Sequence, residues 1–264
     1  MKSYDFEYDG LTLSDMGYMM CKFDSSSMQT ISNGSQITFN TVSFLNGKKY
    51  ELTDIAYDEC LKTTFQICKN PCNNDDLNIN VRNLRDLVTW LNRKEFHKFK
   101  LLNEEYMDLY FESSFNVSTI EFGDNICGLE LEMITNRPFA LHEPISFTIK
   151  SVEQNTKKII SDISDEEGYI YPHTEIEILE DGVLTIHNDL ENRTMEIKDC
   201  IAGEKILLDY PLISSSIQSH KIQDDFNWNF FRIYNTFRNN QNTLTISIPC
   251  IIKIEYSPIV KVGL

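Results

Sequence analysis

Asn80-Val81-Arg82-Asn83-Leu84-Arg85-Asp86-Leu87-Val88-Thr89-Trp90-Leu91 opens a stretch, running to Met133, around which the rest of the chain is organised. Leu84, Leu87, Val88 and Leu91 recur at helical spacing, which puts four apolar side chains on one face. Asn80 is placed to cap this helix, because a short amide side chain accepts from the free N–H groups of a first turn. The period then changes to two. Met107, Leu109 and Phe111 alternate with Asp108, Tyr110 and Glu112, and Leu129, Leu131 and Met133 alternate with Glu130 and Glu132. Both runs predict half-buried strands. The expectation is a lone helix against an otherwise β-rich sheet, and no motif of reaction chemistry interrupts the stretch.

On the N-terminal side, Tyr4 to Tyr8 and Leu11 to Leu13 flank Asp9-Gly10, a two-residue hairpin signal. Ser14-Asp15-Met16-Gly17 predicts a turn before a strand from Tyr18 to Phe23, and Ser25 to Ser35 predicts a loop. Strands follow at Thr38 to Leu45 and Lys49 to Tyr57 around Asn46-Gly47. Leu61, Phe65 and Ile67 lie on a clear amphipathic strand that ends in the polar loop Lys69 to Asp76. After the helix come two predicted hairpins, His97 to Leu102 with Tyr106 to Phe115, and Ser118 to Phe122 with Ile126 to Ile134.

Pro138 lacks a ladder donor and biases Arg137 toward extended backbone, so a domain boundary is placed there, giving domains 1–137 and 138–264. The second half has almost no helical periodicity. Short alternating runs at Ile145 to Ile149, Thr174 to Ile178, Val183 to Asn188, Thr194 to Ile197, Lys205 to Leu208, Thr243 to Ile248 and Ile251 to Tyr256 predict a β-sandwich. Between them, Phe226 to Arg238 clusters Phe226, Trp228, Phe230, Phe231 and Tyr234, which reads as sandwich core or as a saccharide-binding platform. The fold class is therefore mainly β with one short helix.

The 264 residues suffice for one large or two modest domains. No apolar run is long enough to cross a bilayer, and the N-terminus shows no apolar signal region, so folding in a cytoplasm without membrane insertion is expected. A formal net charge of -16 repels phosphate and argues against sequence-specific nucleic-acid binding. The acidic surface also suits contact with a basic neighbour. Seven widely spaced cysteines do not suggest a disulfide framework and read mostly as small buried hydrophobes. Cys68-x-x-x-Cys72 lacks a second knuckle for zinc.

No candidate catalytic or metal residue emerges, and no cofactor is expected. His97, His142, His173, His187 and His220 form no H-E-x-x-H pair, no G-x-S-x-G elbow occurs, and there is no glycine-rich phosphate loop. Asp162 to Gly168 fails the calcium-loop pattern, with Glu167 where glycine is needed, and reads as a solvated acidic loop. A non-enzymatic protein is the expectation.

The order of features is familiar. Phe6-Glu7-Tyr8-Asp9-Gly10 followed by Leu13-Ser14-Asp15-Met16-Gly17 resembles the start of the distal tail protein (Dit) family of long-tailed, siphovirus-type phages. Trp90-Leu91-Asn92 through Tyr106-Met107-Asp108-Leu109-Tyr110-Phe111 is similar to that family's helix and following strands, with Phe111 where the family has alanine. Arg137-Pro138-Phe139-Ala140 stands where its first domain ends, and Tyr171 to Ile178, Gly203-Glu204 and Ile254 to Val262 also resemble members.

The resemblance implies an N-terminal ring-forming β domain with a helix and a C-terminal galectin-like β-sandwich. It implies a virion structural protein of the baseplate hub at the tail tip, assembled in the host cytoplasm and serving host adsorption. Its partners would be five further copies in a homo-hexamer, the major tail tube protein and the tail-associated hub or lysin protein. Contacts with the tape-measure protein and a receptor-binding protein are also allowed. In such a ring, Lys69, Asn73, Asn74 and Asp75 are candidate interface residues of an arm. The alternatives are a carbohydrate-binding module reading host cell-wall saccharide through Trp228 and Phe230, or the same adaptor in a contractile or defective-phage tail.

Overall fold

The computed structural model describes residues 5–23, 37–43, 50–57, 60–74, 76–236 and 238–262. The chain divides into two compact units, Met1–Leu141 with Lys261–Leu264, and His142–Val260. The predicted loop at Ser25 to Ser35 and the turn at Asn46-Gly47 lie outside the described residues.

The first unit contains β1 (Phe6–Tyr8), β2 (Leu11–Thr12), β3 (Tyr18–Cys21), β4 (Ile37–Ser43), β5 (Tyr50–Tyr57), β6 (Lys62–Lys69), α1 (Val81–Leu91), β7 (His97–Leu101), β8 (Leu109–Phe122), β9 (Asn125–Thr135) and the start of β10 (Ala140–His142). Its main sheet runs β2-β1-β7-β8-β9-β6-β3, antiparallel between each of these neighbours. β4 and β5 pair as a separate hairpin. Asp9 (φ 53) and Gly10 (φ 77) both take positive φ, the signature of the tight turn whose twist matches the flanking strands.

The helix forms over the predicted residues. Asn80 Oδ1 accepts from the Asn83 N–H at 2.9 Å, satisfying one orphan donor of the first turn. The buried face differs from the expectation. Leu87, Trp90 and Leu91 are buried, Leu84 is half-buried and Val88 is exposed. The helix is rotated to seat Trp90, whose indole N–H donates to the Tyr8 carbonyl at 3.1 Å while its ring stacks on Phe6 at 5.9 Å. Phe6 in turn meets Phe99 and Phe115, and Phe99 meets Phe65 and Phe111. Each buried aromatic or aliphatic side chain of this kind contributes about 1.5–3 kcal/mol.

Two further expectations are corrected. Met107 is exposed in the turn before β8 rather than buried on a strand. The stretches Tyr106 to Phe115 and Ser118 to Phe122 are not separate strands but parts of one, because β9 is long enough to pair with β8 from Ser113 through Phe122.

The second unit contains β11 (Ile145–Ser151), β12 (Thr156–Ser161), β13 (Gly168–Ile170), β14 (His173–Ile178), β15 (Gly182–Asn188), β16 (Arg193–Cys200), β17 (Lys205–Asp209), β18 (Leu212–Ser215), α2 (Ile222–Asp225), β19 (Ile233–Asn235), β20 (Gln241–Ile246), β21 (Cys250–Tyr256) and β22 (Ile259–Val260). A five-stranded sheet runs β11-β21-β14-β17-β18 and a four-stranded sheet β12-β20-β15-β16, with β13 and β19 paired apart. Ile176, Ile206 and Ile252 of the first sheet share one core with Leu184, Ile197 and Ile246 of the second. Alternation along every strand puts these side chains inward, the pattern of two sheets packed face to face. The run Phe226 to Arg238 is largely irregular and contributes only β19.

Candidate interaction surfaces

Helix α1 carries charge on its outer side. Arg82, Arg85, Asp86, Thr89, Trp90 and Arg93 line a wide, shallow groove of about 800 Å³. Arg93 is tied down: its Nη1 donates to Asp9 Oδ2 at 2.7 Å and its Nε to the Trp90 carbonyl at 2.8 Å. That guanidinium holds the Asp9 carboxyl below the usual carboxylate range. Burial pushes the neighbouring Tyr8 hydroxyl up, opposed by Arg93, whose guanidinium carbon stands 5.5 Å from the ring centroid. Arg82 and Arg85 are exposed, and neither side chain makes an ion pair or hydrogen bond among the described residues.

The opposite face of the main sheet is polar. Leu129, Leu131 and Met133 are buried, so Glu130 and Glu132 of β9 point the other way and are exposed. Gln66 of β6 donates to Glu130 at 3.2 Å, and Asn116 of β8 donates to Glu132 at 2.9 Å. Both donors are neutral, and among the described residues neither carboxylate makes an ion pair.

The loop after β6 is held against its own unit. Lys69 Nζ donates to the Asp76 carbonyl at 3.1 Å and the Asn78 carbonyl at 2.5 Å. Asn74 Nδ2 donates to the carbonyls of Gly17 and Asn70, both at 3.0 Å. Asn73 is exposed, and Asp75 lies outside the described residues.

In the second unit, Trp228 is 56% exposed and takes a positive φ of 58°. Phe230 is buried; its ring lies 6.3 Å from Trp228 and 4.9 Å from Phe226, so it supports the indole from within. Rings that composition did not single out extend this row. Tyr210 is exposed, stacks on Tyr171 at 3.9 Å and meets Phe230 edge-on at 5.3 Å. Arg232, bonded to Glu191, covers the exposed Tyr169 at 4.0 Å.

Two buried polar clusters lock this unit. Glu204 Oε1 accepts from Ser215 Oγ at 2.5 Å and from His220 Nδ1 at 2.6 Å, while Oε2 accepts from the Ile201 N–H at 3.1 Å. The side chains of Glu204 and His220 are both sealed from solvent. Asp162 is buried, not solvated as expected of its acidic loop. It accepts from Tyr256, Ser164 and Asn235, and only Ile163, Asp165 and Glu167 of that loop are exposed. Burial and the Asp162 charge push the Tyr256 hydroxyl up.

All seven cysteines are unpaired. Only Cys200 and Cys250 are buried, and burial pushes their thiols up to about 11 and about 12. Cys21, Cys60, Cys68 and Cys127 are half-buried and Cys72 is exposed, so the reading as buried hydrophobes fits two of the seven. Among the described residues no group of three His, Cys, Asp or Glu side chains is placed to hold a metal ion, and no helix is long and apolar enough to cross a membrane.

Comparison with known proteins matches both parts of the chain. Residues 1–137 match a family described as the phage tail protein N-terminal domain, and residues 139–256 match a phage tail C-terminal domain. A search of curated proteins found no match. Among solved structures, the crystal structure of SPP1 Dit (gp 19.1), titled a paradigm of the hub adsorption apparatus in phages infecting Gram-positive hosts, shares this fold. The likeness has a TM-score of 0.69 at 10% identity and covers 97% of this chain and 99% of that one. The resemblance read from the sequence thus recurs in both family matches and in the fold, and the chain belongs to the phage tail protein family whose N-terminal and C-terminal domains it carries in that order.

Proposed function

We propose that this chain is the distal tail protein of a long-tailed phage. It forms a hexameric ring that joins the tail tube to the tail-tip apparatus. The observation that carries this reading is the end-to-end likeness to SPP1 Dit, which spans both units rather than one shared module. In this reading residues 1–137 build the ring and residues 138–264 form a galectin-like sandwich. The tube protein and the hub protein are its partners on the two sides. Among the described residues the short strands β2 and β3 stand at the two edges with no further partner strand, which suits a sheet completed by assembly. Lys69 and Asn74 are held by their own unit, and of the four candidate residues Asn73 is exposed to a neighbouring subunit.

Light scattering on a concentration series tests the reading. A six-fold mass, or a mixture whose upper limit is six, is expected. A strict monomer at every concentration, alone and mixed with the tube protein of the same phage, would overturn it.

The exposed indole of Trp228 favours a second role on the same scaffold, recognition of host cell-wall saccharide. An exposed aromatic face stacks on the apolar face of a sugar ring, and Phe230 holds the indole in place. A glycan screen should then find a cell-wall ligand whose binding is lost in Trp228→Ala. No binding to purified host wall polysaccharide, or binding that Trp228→Ala leaves intact, removes this role.

A further inference from the structure

We propose that Arg82 and Arg85 of one copy dock on Glu130 and Glu132 of the next, forming the head-to-tail seam of the assembly. This rests on the ring reading above and names its contact. The chain as a whole is strongly acidic, with 40 Asp and Glu against 24 Lys and Arg. Two copies therefore repel unless a local surface of opposite sign brings them together. Helix α1 offers such a surface. Arg82 and Arg85 are exposed without an intrachain ion pair among the described residues, and Asp86, the carboxylate on the same groove, pairs with neither.

The matching surface is on the other side of the same unit. Phe65 pairs directly with Leu131, and Phe65 belongs to the aromatic cluster that Trp90 of α1 caps through Phe6 and Phe99. Leu131 therefore faces the helix, and Glu130 and Glu132 face away from it. Within one chain the sheet separates the arginines from these carboxylates. Two different patches on opposite faces of a subunit define a heterologous contact, the kind that closes into a ring when the rotation permits.

The spacing also fits. Residues three apart on a helix have Cβ atoms about 5–6 Å apart. Residues two apart on one strand face are separated by about 6.6 Å. Two guanidinium groups can thus meet two carboxylates in register. Each planar guanidinium offers paired donors to a carboxylate whose remaining bonds come from a neutral amide.

A charge exchange tests the seam. Arg82→Glu with Arg85→Glu reverses one side, Glu130→Arg with Glu132→Arg reverses the other, and the four together restore the pairing in reverse. The three variants are read against wild-type mass by light scattering, with far-UV circular dichroism and melting to confirm that each variant folds. Each half-exchange is expected to weaken association by about 100-fold, and the four-fold exchange to recover to within about ten-fold of wild type. Wild-type association should also weaken as salt rises from 0.05 to 0.5 M, roughly in step with a shorter screening length.

A half-exchange that assembles like wild type overturns the seam while leaving the ring reading intact. So does failure of the four-fold exchange when both halves fold and fail to assemble. Wild type that stays monomeric, alone and with the tube protein, removes the ring reading and the seam together. A fluorescent DNA duplex serves as the control: if Arg82→Glu with Arg85→Glu abolishes DNA binding and leaves the mass unchanged, the arginines serve nucleic acid and the seam is wrong.

Discussion

Glu204→Ala is expected to destabilise the second unit by about 3–5 kcal/mol, because three buried donors lose their common acceptor at about 1–3 kcal/mol each. The carboxylate accepts three hydrogen bonds in a site sealed from solvent. Alanine leaves the Ile201 N–H, Ser215 and His220 without their common acceptor. His220 Nε2 stands 3.4 Å from Asp225 without a hydrogen bond, so that second carboxylate does not replace the first. The loss falls on the segment joining β17, β18 and α2, which this one side chain ties together. Glu204→Gln keeps the volume and one acceptor oxygen and should lose about 2 kcal/mol. Urea unfolding in a Trp90→Phe background, where Trp228 alone fluoresces, gives the measurement. A midpoint unchanged by Glu204→Ala would mean that the cluster does not hold this unit together.

Trp90→Ala should cost the first unit a similar amount, about 3–5 kcal/mol, because a large buried ring leaves a cavity that its neighbours fill only in part. The ring contacts Phe6 and Tyr8, and the indole N–H caps the Tyr8 carbonyl. Trp90→Phe retains a ring and loses the donor, with an expected cost of about 1 kcal/mol. Amide exchange in peptides from α1 and β1 locates the effect. Faster exchange confined to these segments is expected in Trp90→Ala, and unchanged protection there would show that Trp90 does not seat the helix. Loosening α1 would also displace Arg82 and Arg85, so assembly should weaken in the same variant.

Much of the architecture was legible without coordinates. The helix over Val81–Leu91 and its Asn80 cap follow from spacing and from one amide side chain. The Asp9-Gly10 hairpin follows from turn chemistry, and β6, β9, β14 and β21 from period-two alternation. These signals are local: each depends on residues within a few positions of one another. The strands missed at β12 and β13 are short or weakly alternating, and pairing with β20 and β19, far along the chain, rather than propensity defines them, while β18 is a four-residue return of β17 across Tyr210-Pro211.

A mostly β chain with one amphipathic helix follows from the residues alone, because side-chain periodicity is written residue by residue. Packing between distant parts of the chain set the rest. It turned α1 onto Trp90 because the indole needed both an aromatic bed and a carbonyl acceptor, and both are supplied by β1, more than 80 residues away in the sequence. Burial of Asp162 is likewise set by Tyr256 and Asn235, far along the chain. The ordering of β6, β9 and β8 put two glutamates on one face while the helix put two arginines beyond the other. Such placements depend on which strands pair and which face is covered, and those are settled only when the whole core closes.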